Sequence, residues 1–108
     1  MTLSKLSVTE LKAWLDSEEA KSLIIDVREP WEGEACRLQS SVQIPMRQVP
    51  EQMSELDSGC NIVVLCHHGF RSLQVCRFLA QHGFHKLFNV TGGIDAWAQQ
   101  IDPSMARY

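Results

Sequence analysis

The residues best suited to chemistry form one short segment that begins with a cysteine. Its members are Cys66, His67, His68, Gly69, Phe70, Arg71 and Ser72. A cysteine thiolate is a strong nucleophile, and the thiolate rather than the thiol is the reactive form. We therefore predict that Cys66 is a catalytic nucleophile, against the alternative of a buried structural thiol in an ordinary turn. This chemistry also requires that the sulfur be reached from solvent.

The residues after Cys66 are suited to holding an anion. A short loop that feeds a helix can point successive N–H groups inward, and the helix dipole adds positive potential. Gly69 permits backbone angles closed to other residues, and Arg71 offers a planar charge for an incoming oxyanion. Ser72 is predicted as the N-cap of the helix that follows, and Phe70 is expected to be exposed, where it would touch an acceptor or partner.

The two histidines leave alternatives open. His67 and His68 adjoin the nucleophile and suit a general base, but a stabilised thiolate needs none. We favour their lining the loop or facing solvent, with their backbone N–H groups in use. No metal site is predicted, because neighbouring loop residues rarely converge on one tetrahedral ion. No cofactor is implied.

Three further residues are candidates for support. Asp26 ends a strand beside the expected site, where it would orient Arg71 or the loop amides, or serve only as a structural ion pair. Arg28 is a candidate for binding anionic donors, with a plain surface charge as the alternative. Cys36 is a candidate resolving thiol for Cys66.

The remaining sequence predicts the elements that position this loop. Ser7 and Glu10 have the spacing of a capping box that opens a helix. Short β-type runs alternate with helical ones, which is typical of a mainly parallel sheet of about five strands flanked by helices. The predicted strands cover residues 23–27, 42–45, 61–65 and 86–90. Helices are predicted over 49–56, over 72–82 and in a last segment after residue 93.

Composition limits the classes of function. The chain of 108 residues fits a single domain, 1–108. Its net charge of -3 argues against nucleic acid or an anionic membrane as partner. No apolar run approaches the ~20 residues that span a bilayer, and the first residues lack the pattern of a signal peptide. A cytoplasmic location is therefore expected, with its cysteines as thiols.

Four segments carry a resemblance to the single-domain rhodanese (thiosulfate sulfurtransferase) family. Residues 26–29 resemble its D-V-R-E segment, and residues 42–45 its short strand ending in I-P. Residues 66–72 resemble its C-x-x-G-x-R-S active loop, and residues 91–97 its closing G-G-x-x-x-W. One segment, residues 36–41, departs from the family's G-H-I-P-G-A and puts the identity of the acceptor in doubt.

The resemblance implies a ping-pong sulfurtransferase. Cys66 would take sulfane sulfur from a small anionic donor such as thiosulfate and pass it, as a persulfide, to cyanide, a thiol or a protein. Two alternatives stay open: a sulfur-relay module serving one protein partner, and a phosphatase or arsenate reductase on the same architecture. Four residues separate Cys66 from Arg71, as in sulfurtransferases of this family, whereas the related phosphatases have five.

Overall fold

The computed structural model describes residues 2–17 and 22–108. Its strands are β1 (Thr2–Leu6), β2 (Ser22–Asp26), β3 (Ser41–Gln43), β4 (Asn61–Leu65) and β5 (Lys86–Val90). Its α-helices are α1 (Val8–Asp16), α2 (Pro30–Ala35), α3 (Val49–Gln52), α4 (Phe70–Gln81) and α5 (Gly93–Gln100). Two 3₁₀ turns, Met46–Gln48 and Met53–Glu55, flank α3.

The strands form a parallel sheet in the order β1-β5-β4-β2-β3. The predicted α/β class and parallel sheet are therefore confirmed. Strand β4 is central and its residues 62–65 are buried, as its run of branched apolar residues indicates. Because all strands point the same way, their carboxyl ends meet at one edge of the sheet, and Cys66 follows β4 at that edge.

Both faces of the sheet are covered. Alternate strand residues point to opposite faces, so Ile25 and Val64 pack with α3 and α4 on one side, whereas Ile24 and Val63 pack with α1 and α5 on the other. The capping box predicted at Ser7 and Glu10 opens α1. None of the helices in the described ranges has the length and apolar character needed to cross a bilayer.

Candidate active site

Cys66 lies in the tight connection between β4 and α4. Gly69 has a backbone φ of +103° and precedes the first residue of α4, Phe70. A Cβ on Gly69 would lie 3.2 Å from the carbonyl oxygen of Val90, so both the angle and the space favour glycine. The predicted helix after Cys66 is therefore present, but it begins at Phe70 rather than at Ser72 and ends at Gln81. The prediction of Ser72 as its N-cap is wrong, because Gly69 occupies the N-cap position.

The sulfur of Cys66 is surrounded by polar groups from the first turn of α4. The Gly69 N–H donates to Sγ at 3.0 Å, and the Ser72 N–H donates at 3.4 Å. The Cys66 thiol donates to the Ser72 hydroxyl at 3.3 Å. Two N–H donors at a helix N-terminus stabilise negative charge on the atom they face. Ser72 thus contacts the sulfur from inside the helix rather than capping it.

Asn89 on β5 supports this arrangement and was not anticipated from the sequence. Its side-chain oxygen accepts a hydrogen bond from the Ser72 hydroxyl, and its Nδ2 donates to the Gly69 carbonyl at 3.2 Å. The residue is buried. The signal available in the sequence was an asparagine between the apolar residues Phe88 and Val90 of a strand, because a buried asparagine needs hydrogen-bond partners.

The N-terminus of α5 binds the backbone of the loop that follows β4. The N–H of Ile94 donates to the Cys66 carbonyl at 2.9 Å, and the N–H of Asp95 donates to the His67 carbonyl at 3.1 Å. A Cβ on Gly93 would collide with both of these carbonyl groups. Gly93, the first residue of α5, therefore lets the two backbones approach closely enough to fix the loop.

Cys66 is only 1% exposed, so the expectation that its sulfur is reached directly from solvent is wrong. Its surroundings still differ from those of an inert buried thiol. Cys76, one turn beyond Ser72 in α4, is fully buried, and desolvation raises the pKa of its thiol to about 12. Cys66 instead has amide donors directed at its sulfur. Any molecule that reacts with this sulfur must therefore displace part of the covering structure.

Arg71 is held by a partner that the sequence did not reveal. Its NH1 and NH2 donate to the two carboxylate oxygens of Glu32 at 2.6 and 2.8 Å. Glu32 is almost fully buried on α2. The hydrogen bond from Arg71 is the main reason that the pKa of Glu32 falls to about 2, and Glu32 in turn raises the pKa of Arg71.

Asp26 and Arg28 pair with each other rather than with the active loop. The guanidinium contacts both carboxylate oxygens, the shortest distance being 2.6 Å, and both side chains are almost completely buried. Arg28 also donates to the Glu32 and Cys36 carbonyls. The surface-charge alternative for Arg28 is therefore wrong, and the structural ion pair is the arrangement observed for Asp26.

The two histidines lie on the outer side of the loop. Their rings stack on each other with centroids 4.0 Å apart, and the ring of Tyr108 stacks on the other face of His67 at 4.1 Å. Desolvation is the main cause that lowers the pKa of His67. His68 is half exposed and lies 3.7 Å from Asp95.

Within the described ranges, His67, His68 and Asp95 are the set whose ligand atoms are close enough to hold a metal ion, all within 4.8 Å of one another. Asp95 is already paired with Arg107 at 3.0 Å. The three side chains therefore form a cluster of possible metal ligands, but the Asp95 carboxylate already binds Arg107.

The other predicted residues fall at separate places. Phe70 is 78% exposed at the start of α4, as expected, and Trp31 on α2 is 61% exposed. All four cysteines are free thiols. Cys36 packs against the cluster on the opposite face of the sheet from the one that contains Cys66. The Cys36 sulfur lies 3.9 Å from Arg28, and no disulfide joins it to Cys66.

Comparison with known proteins identifies relatives over most of the chain. Residues 7–100 match the Rhodanese-like domain. A sulfurtransferase of Allochromatium vinosum is 36% identical over 91 residues, which cover 84% of this chain and 83% of that protein. A putative sulfur carrier protein of Bacillus subtilis is 33% identical over 94% of this chain, which spans 54% of its length. A rhodanese-like domain protein of Staphylococcus aureus superimposes with a TM-score of 0.81 at 29% identity, covering 87% and 90% of the two chains.

Proposed function

The chain belongs to the rhodanese-like domain family, whose members are sulfurtransferases or sulfur carriers, and from this premise we propose that Cys66 carries sulfane sulfur as a persulfide. The observation that carries the proposal is the pair of N–H donors, from Gly69 and Ser72, directed at the Cys66 sulfur. These donors stabilise a thiolate before reaction and a terminal persulfide anion after it.

The proposed reaction has two steps. In the first, the Cys66 thiolate attacks the outer sulfur of a donor such as thiosulfate. A bond forms between Sγ and that sulfur, the donor's S–S bond breaks, and sulfite leaves with the electron pair. In the second, a thiophilic acceptor such as cyanide attacks the outer sulfur, and the Sγ–S bond breaks to regenerate the thiolate. No oxidant or cofactor is consumed, and one difficult transfer is divided into two.

Replacing Gly69 tests whether its amide is needed for the reaction of Cys66. Gly69→Ala strains a backbone at φ +103° and pushes against Val90, which turns the amide away from the sulfur. We expect loading of Cys66 by thiosulfate to slow by about tenfold, since a misplaced donor weakens charge stabilisation. Intact-mass spectrometry of samples quenched at successive times measures this rate.

Gly83→Ala provides the matched control for that variant. Gly83 has a φ of +92°, but a Cβ there would meet open space, and it lies beyond the far end of α4. Both substitutions place alanine in a left-handed backbone conformation, at a similar cost on the order of 1 kcal/mol. Only Gly69→Ala should slow the loading of Cys66. Equal loading rates in the two variants would show that the Gly69 amide does not contribute to the reaction of Cys66.

A sulfur-relay module is the second candidate. Phe70 and Trp31 are exposed aromatic side chains on the two helices that carry Arg71 and Glu32, which suits contact with a protein acceptor. An assay with thiosulfate and cyanide separates the two functions. Rapid thiocyanate release supports the enzyme, whereas a persulfide that forms but resists cyanide supports the relay. Appreciable hydrolysis of p-nitrophenyl phosphate would support the phosphatase alternative instead.

The proposal also includes the domain organisation, the partners and the location of the protein. We propose that residues 1–108 form one domain, which takes sulfur from a small donor and passes it to a thiol, cyanide or a protein acceptor. We propose a cytoplasmic location, a compartment in which cysteines are kept as thiols. Localisation of a tagged chain by cell fractionation tests this part.

A further inference from the structure

The cation expected to attract an anionic donor is already neutralised. The Arg71 guanidinium makes a two-point ion pair with Glu32, and Arg28 behind it makes one with Asp26. These two pairs sum to zero charge. A thiolate at Cys66 then gives this side of the site a net negative charge. The pKa of neighbouring His67 is lowered, so that residue does not restore positive charge at neutral pH.

Glu32 is fixed in place before any donor arrives. Besides Arg71, it accepts a hydrogen bond from the Tyr108 hydroxyl at 2.6 Å and one from the Glu29 backbone N–H at 3.0 Å. Arg28 donates to the same Tyr108 hydroxyl at 2.9 Å. A buried carboxylate with this many partners does not swing aside to release Arg71 cheaply. The compensated pair is thus built into the fold.

We propose that Glu32 is a positioning residue that sets donor specificity: by neutralising Arg71, it makes the site favour persulfides of small thiols or proteins over doubly charged oxyanions such as thiosulfate. This inference rests on the proposed function. For a persulfide donor RSSH, the Cys66 thiolate bonds to the outer sulfur, the donor's S–S bond breaks, and the thiolate RS⁻ leaves, with the proton remaining on the transferred sulfur. The atoms and charge balance without another reactant.

The test compares two donors on wild type and Glu32→Gln, with thiosulfate as the dianion and 2-hydroxyethyl persulfide as the weakly charged donor. Removing the carboxylate charge exposes that of Arg71. We expect the KM for thiosulfate to fall by about tenfold, while kcat/KM for the persulfide changes less than about twofold. Glu34→Gln makes the same charge change on the exposed side of α2 and should move neither value by more than about twofold. Glu32→Asp, which keeps the charge, should retain the wild-type preference.

A salt series on the wild-type chain gives an independent result should Glu32→Gln fail to fold. Repulsion of a dianion is screened by ions, so the KM for thiosulfate should fall as ionic strength rises toward about 0.15 M. A KM that rises with salt, or an unchanged donor preference in a folded Glu32→Gln, would overturn the inference while leaving the Cys66 persulfide intact. Failure of both donors to load Cys66 would instead overturn the proposed function.

Discussion

Cys66→Ser loses sulfur transfer from thiosulfate to cyanide by about a thousandfold or more, because an alcohol at this position cannot form the persulfide on which both steps depend. The hydroxyl is similar in size to the thiol, so it fits beside the Gly69 and Ser72 amides without disturbing the loop. The measurement is the rate of thiocyanate formation, with circular dichroism to show that the variant is folded.

Cys36→Ser is the matched control for this prediction. Its thiol is only partly buried and packs against the opposite face of the sheet, so turnover should stay near the wild-type rate. A Cys66→Ser variant that keeps turnover would remove Cys66 as the nucleophile. A Cys36→Ser variant that loses it would restore the resolving-thiol hypothesis.

Asp26→Ala is expected to produce the largest loss of stability among single replacements near the site. Arg28 is 0% exposed, and without Asp26 its charge would be buried beside neutral oxygens of Glu32, Cys36 and Tyr108. Removing one partner of a buried pair costs about 3–5 kcal/mol. Urea denaturation, followed by circular dichroism, measures the free energy of unfolding.

An exposed ion pair supplies the comparison for Asp26→Ala. Lys12 and Asp16 lie on the surface of α1 at i,i+4 spacing, so Asp16→Ala should lower the free energy of unfolding by no more than about 1 kcal/mol. If the two aspartate variants lose equal stability, the buried pair does not have the structural role that its geometry indicates.

The sequence predicted the position of Cys66 at the carboxyl edge of the sheet because that position depends on short-range pattern. The apolar run 61–65 defines a central strand, and a cysteine directly after it falls at the carboxyl edge of a parallel sheet. The left-handed glycine at residue 69 followed from the same local reasoning. Strand β1 was missed, because only its pairing with β5 at the edge of the sheet distinguishes it from an irregular start.

The contacts that could not be predicted from the sequence join residues that lie far apart in the chain. Glu32 meets Arg71 39 residues later, and Tyr108 meets Glu32 76 residues after it. Nothing in local spacing predicts such contacts, since they depend on how α2 and the segment after α5 pack around the loop. The same holds for the burial of Cys66, which results from tertiary packing rather than from residue type.

Intact-mass spectrometry of the chain after mixing with thiosulfate tests the central claim most directly. The account predicts a gain of roughly 32 Da, one sulfur atom, which disappears on addition of cyanide and is absent in Cys66→Ser. A wild-type chain that gains no sulfur, or a Cys66→Ser chain that gains the same mass, would contradict a persulfide on Cys66.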